Sequence, residues 1–470
     1  MVQCKTEEAE LLKSVRHEVG TECLIARNGL APSEQNLCRI CHAPKIGHDA
    51  RGPYLCRDLK PTSPTSAAAS GELFSPRFWL LSSSTVLFMA SFGMVMPELP
   101  AYLRGLGRPD LIGWIVGLFT IGAFVSRFFS GRIADAAGRR PVMMFGTWVA
   151  ALAGLGYIAV GTIAPEQAEH VHGMPFAVVA FLAVRLLHGL STGFRPTGTT
   201  AYLTDITPLA RRGEALGYLG VAGNAGMAAG PALGSWLTVE FGYNAMFMAS
   251  SALGVAALLM TMRLPESLAV SRRTRWSDLN VLKGASLDWS AWPSALTLLP
   301  VAFAFGTFLT LTPDFVESLG YVYKGSFNTI VVAASIAMRF VAGKASDRHG
   351  RVPLMIIGTA MLALGMWTFS LAQTSVVATL GAIIYGMSVG INMPTIFAWT
   401  ADLAREGKVA LALGTMLMSL ELGIGFGAVL SGNWYAGDLG QISSAYAFCG
   451  IFAVVAMIGL IIGQRRMQRA

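Results

Sequence analysis

From Phe78 onward the chain is a succession of apolar runs of about twenty residues or more, separated by short polar stretches. A helix rising 1.5 Å per residue needs about 20 such residues to cross about 30 Å of hydrocarbon. Parsed against that length, the sequence gives twelve segments near 78–103, 110–134, 141–163, 175–204, 213–238, 241–263, 291–317, 324–346, 353–372, 375–403, 408–433 and 441–463. With 53% hydrophobic and 13% charged residues, against about 25% charged in soluble proteins, the composition excludes a soluble enzyme. It equally excludes a disordered chain, and the 52 glycines follow no three-residue period, which excludes a collagen-like one. The expected fold is an all-α membrane protein of twelve transmembrane helices. They form two six-helix bundles, 76–263 and 291–465, with a linker 264–290, an N-terminal extension 1–75 and a short tail 466–470.

Basic residues orient the bundle. Arg139 and Arg140, Arg211 and Arg212, Arg272, Arg273, Arg275 and Lys283, Arg348 and Arg351, Arg405 and Lys408, and Arg465, Arg466 and Arg469 fall on one set of alternate loops. The other loops offer Arg104, Arg108 and Lys324. Positive charge stays cytoplasmic. Both termini and the 264–290 loop are therefore expected inside, and the loop holding Glu166, Glu169, His170 and His172 outside. The formal charge of +8 is topological: the cations are dispersed between apolar runs and form no face for nucleic acid. Residues 1–70 contain no apolar core of a cleaved signal, so the first span is expected to be retained.

The halves repeat. RFFSGRIADAAGRRP at 127–141 aligns without a gap with RFVAGKASDRHGRVP at 339–353, an offset of 212, matching Arg127 to Arg339, Gly131 to Gly343, Asp135 to Asp347, Gly138 to Gly350 and Arg139 to Arg351. HGLSTGFRPTGTTAYLTD at 188–205 aligns with YGMSVGINMPTIFAWTAD at 385–402, matching Asp205 to Asp402. Both copies run in the same membrane direction, the parallel arrangement whose halves rock about a site near the midplane.

The stretch holding Gly131, Asp135, Gly138, Arg139 and Arg140 resembles the signature between the second and third helices of the major facilitator superfamily, a resemblance covering roughly residues 76 to 465. Within that superfamily the chain is similar to the twelve-helix drug:proton antiporters. Its Arg185-Leu-Leu-His188-Gly189 is similar to their fourth-helix motif, and Gly226, Gly230, Pro231 and Gly234 are similar to their fifth-helix antiporter motif. The resemblance implies a monomeric secondary transporter in a bacterial inner membrane, without cofactor or covalent chemistry, whose partners are the lipid bilayer, protons and a small, partly hydrophobic substrate. It also implies that Asp135, with Arg139 and Arg140, holds the halves together on the cytoplasmic side when the protein opens outward. A plain Gly-Arg turn obeying the positive-inside rule is the alternative. The second copy, Gly343, Asp347, Gly350 and Arg351, has Val352 where Arg140 stands and should hold more weakly.

In the fifth helix Gly223, Gly226, Gly230 and Gly234 fall within an arc of about 80°, a flat stripe for close helix approach. Pro231 frees a backbone carbonyl, so this segment should pack against protein. Charges at mid-membrane cost several kcal/mol unless paired or set in a watery cavity. Counting from the helix starts, Arg185 lies about 15 Å deep, Asn224 about 16 Å and Glu421 about 18 Å. Arg185 and Glu421 belong to opposite halves. A pair or shared cavity between them would let a proton on Glu421 compete with substrate or with a salt bridge, with His188 one turn away as a relay. A neutral carboxylic acid that only fixes packing is the plainer reading of Glu421. Glu98 and Asp314 follow prolines at the outer ends of the first and seventh spans and should line an outer vestibule, while Arg127 and Arg339 should support the two loop motifs. Phe92, Tyr157, Trp236, Phe308, Trp367, Tyr385 and Trp399 serve either a greasy pocket or helix packing.

The extension contains Cys38-Arg-Ile-Cys41-His42. A cytoplasmic location argues against haem attachment there. Cys38, Cys41, Cys56 and either His42 or His48 would supply four zinc ligands, and an incidental tail is the alternative. No Gly-x-x-x-x-Gly-Lys-Ser/Thr loop offers direct ATP drive. The leading expectation is proton-driven export. Proton-coupled or passive import on the same scaffold is the runner-up, and a membrane sensor with a metal-binding tail is the reading of another class.

Overall fold

A computed structural model of the chain describes residues 74–163, 170–171, 174–208, 211–268, 287–405 and 409–467. The Cys/His candidates Cys38, Cys41, His42, His48 and Cys56 lie outside the described residues.

The helices run in chain order α1 (Pro76–Val95), α2 (Ile112–Ala137), α3 (Arg139–Gly161), α4 (Phe176–Ile206), α5 (Arg212–Phe241) and α6 (Tyr243–Met262) in the first half. The second half holds α7 (Trp292–Ser318), α8 (Lys324–His349), α9 (Arg351–Leu371), α10 (Ser375–Leu403), α11 (Val409–Tyr435) and α12 (Ile442–Met467). A two-residue antiparallel ladder pairs His170 with Pro175 before α4. The first span departs from the continuous segment expected from the sequence: α1 ends at Val95 and a short helix Leu99–Gly105 continues it. Pro97 and Pro100 both lack the N–H that would carry the ladder through.

Eleven spans among the described residues are long and apolar enough to cross a membrane, and α5 is the one that falls short on apolarity. Its 30 residues still span about 45 Å. Glycines lower its hydropathy, and they do so for packing. A Cβ on Gly226, Gly230 or Gly234 would collide with the α1 carbonyls of Val86, Ala90 and Met94 respectively. The second half repeats the device, with Gly423 and Gly427 of α11 set against the α7 carbonyls of Leu299 and Phe303. The α2–α3 and α8–α9 turns also match, each made at a glycine of positive φ, Gly138 at 116° and Gly350 at 88°. L-residues with a Cβ avoid that region.

The halves meet through α2 on α11 and α5 on α8. Contact is tightest away from the arginine-rich face. There Gly113 of α2 lies against Gly432 and the Ala428 carbonyl of α11, and Gly325 of α8 against the Pro231 carbonyl of α5. Toward the arginine-rich ends of the same four helices, a Cβ at Gly131, Gly217, Gly343 or Gly414 would meet nothing within 4 Å. The bundle is sealed at one face and splayed at the other.

Gly226→Leu should force α5 off α1 and lower stability by about 1–3 kcal/mol, read as a fall in the unfolding temperature of purified protein. Gly217→Leu, at an open position, should stay close to wild type, and equal losses in both variants would refute the close-approach account.

Candidate functional site

The carboxylate at the centre is Glu421 on α11, and its partner is Arg127 on α2. Nη2 and Nε of Arg127 lie 2.6 and 2.9 Å from Oε1 of Glu421. This corrects the expected pair or shared cavity of Glu421 with Arg185, which neither bonds Glu421 nor lines its cavity, and the assignment of Arg127 to loop support. The two helices run in opposite directions and pack together. Twelve residues into α11 and ten residues before the end of α2 are therefore the same depth, about 15–18 Å from the arginine-rich ends. Glu421 lies in the wall of a cavity of about 200 Å³ between the halves. Phe92, Met96, Phe119 and Thr120 of the first half face Phe305, Phe308, Asn328 and Ile424 of the second across it.

Arg185 is fully buried in the first half. Its Nε donates to the Ile115 carbonyl at 2.8 Å, Nη1 to the Tyr157 hydroxyl at 3.2 Å and Nη2 to the Met96 sulfur at 3.4 Å, while its guanidinium lies 4.7 Å over the Phe119 ring. Tyr157 accepts from Arg185 and has one proton to give. His188 Nδ1 stands 3.1 Å from the same hydroxyl. If that proton goes to Nδ1, His188 is neutral with its hydrogen on Nε2; its ring meets the stacked pair Phe92 and Phe119 edge-on. Asn224, half-buried on α5, occupies in the first half the place that Glu421 holds in the second, since Gly226 and Gly230 match Gly423 and Gly427 at the same 197-residue offset.

The two loop motifs fold alike. Asp135 pairs with Arg139, and Arg139 Nε reaches Asp205 at 3.1 Å. In the second half Arg351 reaches Asp347 at 2.6 Å and Asp402 at 2.9 Å. The two sequence repeats therefore join each other within each half. Glu266 accepts from the backbone N–H of Arg139 and Arg140 at 2.9 and 3.0 Å, capping α3, and Arg140 Nη2 donates to the Met262 carbonyl at 2.6 Å. Each of these contacts stays within its own half.

Besides the central Arg127–Glu421 pair, the sealed face carries polar contacts that cross between the halves. Arg104 lies 2.7 Å from Asp314 and 3.0 Å from Glu317, and Tyr323 donates to Glu240 at 3.0 Å. Ser235 donates to Glu98 and accepts the backbone N–H of Gly325 at 2.7 Å, and Tyr435 donates to Asp314 at 2.9 Å. Glu98 and Asp314 are 3% and 2% exposed, so they belong to the seal and do not line an open vestibule. The closed seal is the reason: the same residues would be wetted only if it parted.

The Major Facilitator Superfamily model matches residues 81–338 and 324–469. The chain belongs to that superfamily. A multidrug resistance protein of Bacillus subtilis is 26% identical over 397 residues, 80% of this chain and 92% of that protein. An uncharacterized transporter of Methanocaldococcus jannaschii of the same family type is 25% identical over 395 residues, 82% of this chain and 95% of its own. In fold the chain is similar to the D-xylose-proton symporter, with a TM-score of 0.66 at 17% identity over 82% of this chain and 96% of that one. It is a multi-pass membrane transporter and not an enzyme.

One buried group of this facilitator was missed in the sequence. Arg195 on α4 is 1% exposed and bonds only hydroxyls, Thr147 at 2.6 Å, Thr261 at 2.8 Å and Ser84 at 2.7 Å, beneath the Phe88 ring. An arginine ten residues from Arg185 inside one apolar run was the available signal.

Tyr157→Phe leaves Nη1 of Arg185 and Nδ1 of His188 without their shared hydroxyl. It should cost about 1–3 kcal/mol in the thermal unfolding of purified protein, and an unchanged midpoint would sink that assignment.

Proposed function

We propose that this facilitator is a proton-coupled antiporter that exports a small, partly hydrophobic molecule by alternating access. The arginine-rich face is the cytoplasmic face of a bacterial inner membrane, with both termini inside. The observation that carries the reading is the Arg127–Glu421 pair, an ionic link between the halves whose carboxylate lies in the wall of an apolar cavity. Protonating Glu421 removes its charge and the charge-assisted bonds from Arg127, which frees α2 from α11. With the outer face sealed and the inner face splayed, the cavity communicates inward while Glu421 is ionised and paired. A proton has then been released to the cytoplasm and the cavity is ready to load substrate, the order that antiport requires. The relative named for multidrug resistance, of which the match covers 92%, supports export of drug-like molecules.

The signature loops fit the same cycle. The carboxylates of Asp135 and Asp347 are 72% and 70% exposed and pair with Arg139 and Arg351 of their own turns. When the inner face closes, Asp135 is positioned to exchange Arg139 for contacts on the opposite half, with Arg140 beside it. Import on the same scaffold makes the opposite prediction for direction.

In inverted vesicles energised to be acid inside, the wild-type protein should drive substrate into the lumen. Glu421→Gln should abolish the response to the gradient while leaving the protein folded, and full gradient-driven movement in that variant would remove Glu421 from coupling. Substrate accumulation in right-side-out vesicles that are acid outside would favour the importer.

Asp135→Asn should slow turnover severalfold and shift the unfolding free energy by no more than about 1 kcal/mol, because the pair it breaks is exposed. Turnover equal to wild type would discard the exchange of partners.

A further inference from the structure

Within the membrane-crossing part of the protein the described charges are unequal. Arg127 is neutralised by Glu421, but Arg185 and Arg195 meet only neutral acceptors, and Nε of the mostly buried Arg339 has no partner. Arginine stays protonated in such a setting. A low-dielectric cleft with uncompensated charge of one sign concentrates ligands of the other.

Arg185 is the cation best placed to act on the cavity. It is separated from it by one layer of side chains, since both Met96 and Phe119, which it touches, line the wall. Of its five N–H groups three have acceptors, and the acceptor on the cavity side is a thioether. Thioether sulfur accepts hydrogen bonds weakly, and the methionine side chain swings on three rotatable bonds. A carboxylate arriving from the cavity replaces the Met96 sulfur at Nη2 and gains a charge-assisted bond about twice as strong as a neutral one.

We propose that Arg185 is the anion-binding subsite of the central cavity, covered by Met96 in the unloaded protein, and that the molecule transported is an amphipathic organic anion. The ligand's apolar body lies among Phe92, Phe305 and Phe308, and its single carboxylate or sulfonate meets Nη2 of Arg185. The Arg127–Glu421 pair, neutral as a unit, leaves this preference standing. The inference rests on the proposed central transport cavity but adds the sign of charge that the cavity selects.

The test is equilibrium binding, so it needs no gradient and is independent of the vesicle assays for direction and coupling. Full-length protein in phosphatidylcholine nanodiscs is titrated with dansylglycine and with its uncharged amide, read by energy transfer from tryptophan. The acid should bind about tenfold tighter than the amide, a difference of about 1.4 kcal/mol. Arg185→Gln should erase that preference by weakening the acid alone. Met96→Leu keeps the bulk but removes the competing thioether, and should tighten the acid selectively even if Arg185→Gln fails to fold. Equal affinity of wild type for acid and amide, or a loss in Arg185→Gln shared equally by both, would overturn the proposal. So would displacement of dansylglycine by tetraphenylphosphonium at lower concentration than by an unlabelled acylglycine.

Discussion

An ionised side chain inside hydrocarbon must find a partner or be neutralised, and that requirement organises this molecule. The one carboxylate at the central cavity wall lies on the second half and its guanidinium on the first. Neutrality at the centre therefore depends on how the halves sit against each other. A pair contained in one bundle would be indifferent to rocking. This one spans the two halves, so under the antiport proposed above it would break or form with that motion and couple the charge state of Glu421 to the shape of the cavity.

The pseudo-symmetry sharpens the point. Arg127 and Arg339 are repeat mates, and Glu421 and Asn224 are mates in turn, so the two seams between the halves are built from equivalent positions. The α11 position holds an acid and its α5 equivalent an amide. An amide does not ionise, so at this depth the repeat offers a proton site in one half only. The matching arginine, Arg339, remains without an acidic mate there, which adds to the positive interior beside Arg185 and Arg195.

The sequence carried the architecture because the bilayer demands helices of fixed length and because two internal repeats, Gly138/Gly350 and Asp205/Asp402 among them, fall at matching turns and helix ends. It carried less of the centre. Depth counted from helix starts put Arg185 and Glu421 at similar levels, yet depth says nothing about which helices are neighbours. Arg127 was set aside because it lay close to a loop motif in sequence, although an antiparallel neighbour brings it level with Glu421. Arg195 lies in the same 175–204 span as Arg185, but its hydroxyl partners come from three other helices, which sequence spacing does not reveal. Hydropathy alone undercounts the spans at α5, where the glycines that lower its apolarity are the ones that let it lie against α1.

The same glycine logic runs through the seal. Gly113 against Gly432 and Gly325 against the Pro231 carbonyl bring backbones of opposite halves together with no side chains between them. Such contacts are strong in dispersion but short in reach: about 1 Å of separation forfeits much of their attraction. A seal of this kind holds or releases over a small displacement and has few intermediate positions. The surrounding ionic contacts, Arg104 with Asp314 and Glu317, act over a longer range and keep the faces in register while the backbone contacts part. At the other face Gly131, Gly217, Gly343 and Gly414 stand on the same four helices with nothing against them. In the alternating-access cycle proposed above, closing this face would bring those bare backbones toward each other as the outer ones separate. The small residues at both ends would then serve one mechanical purpose, with the polar pair between them as the ionic contact that is broken and remade.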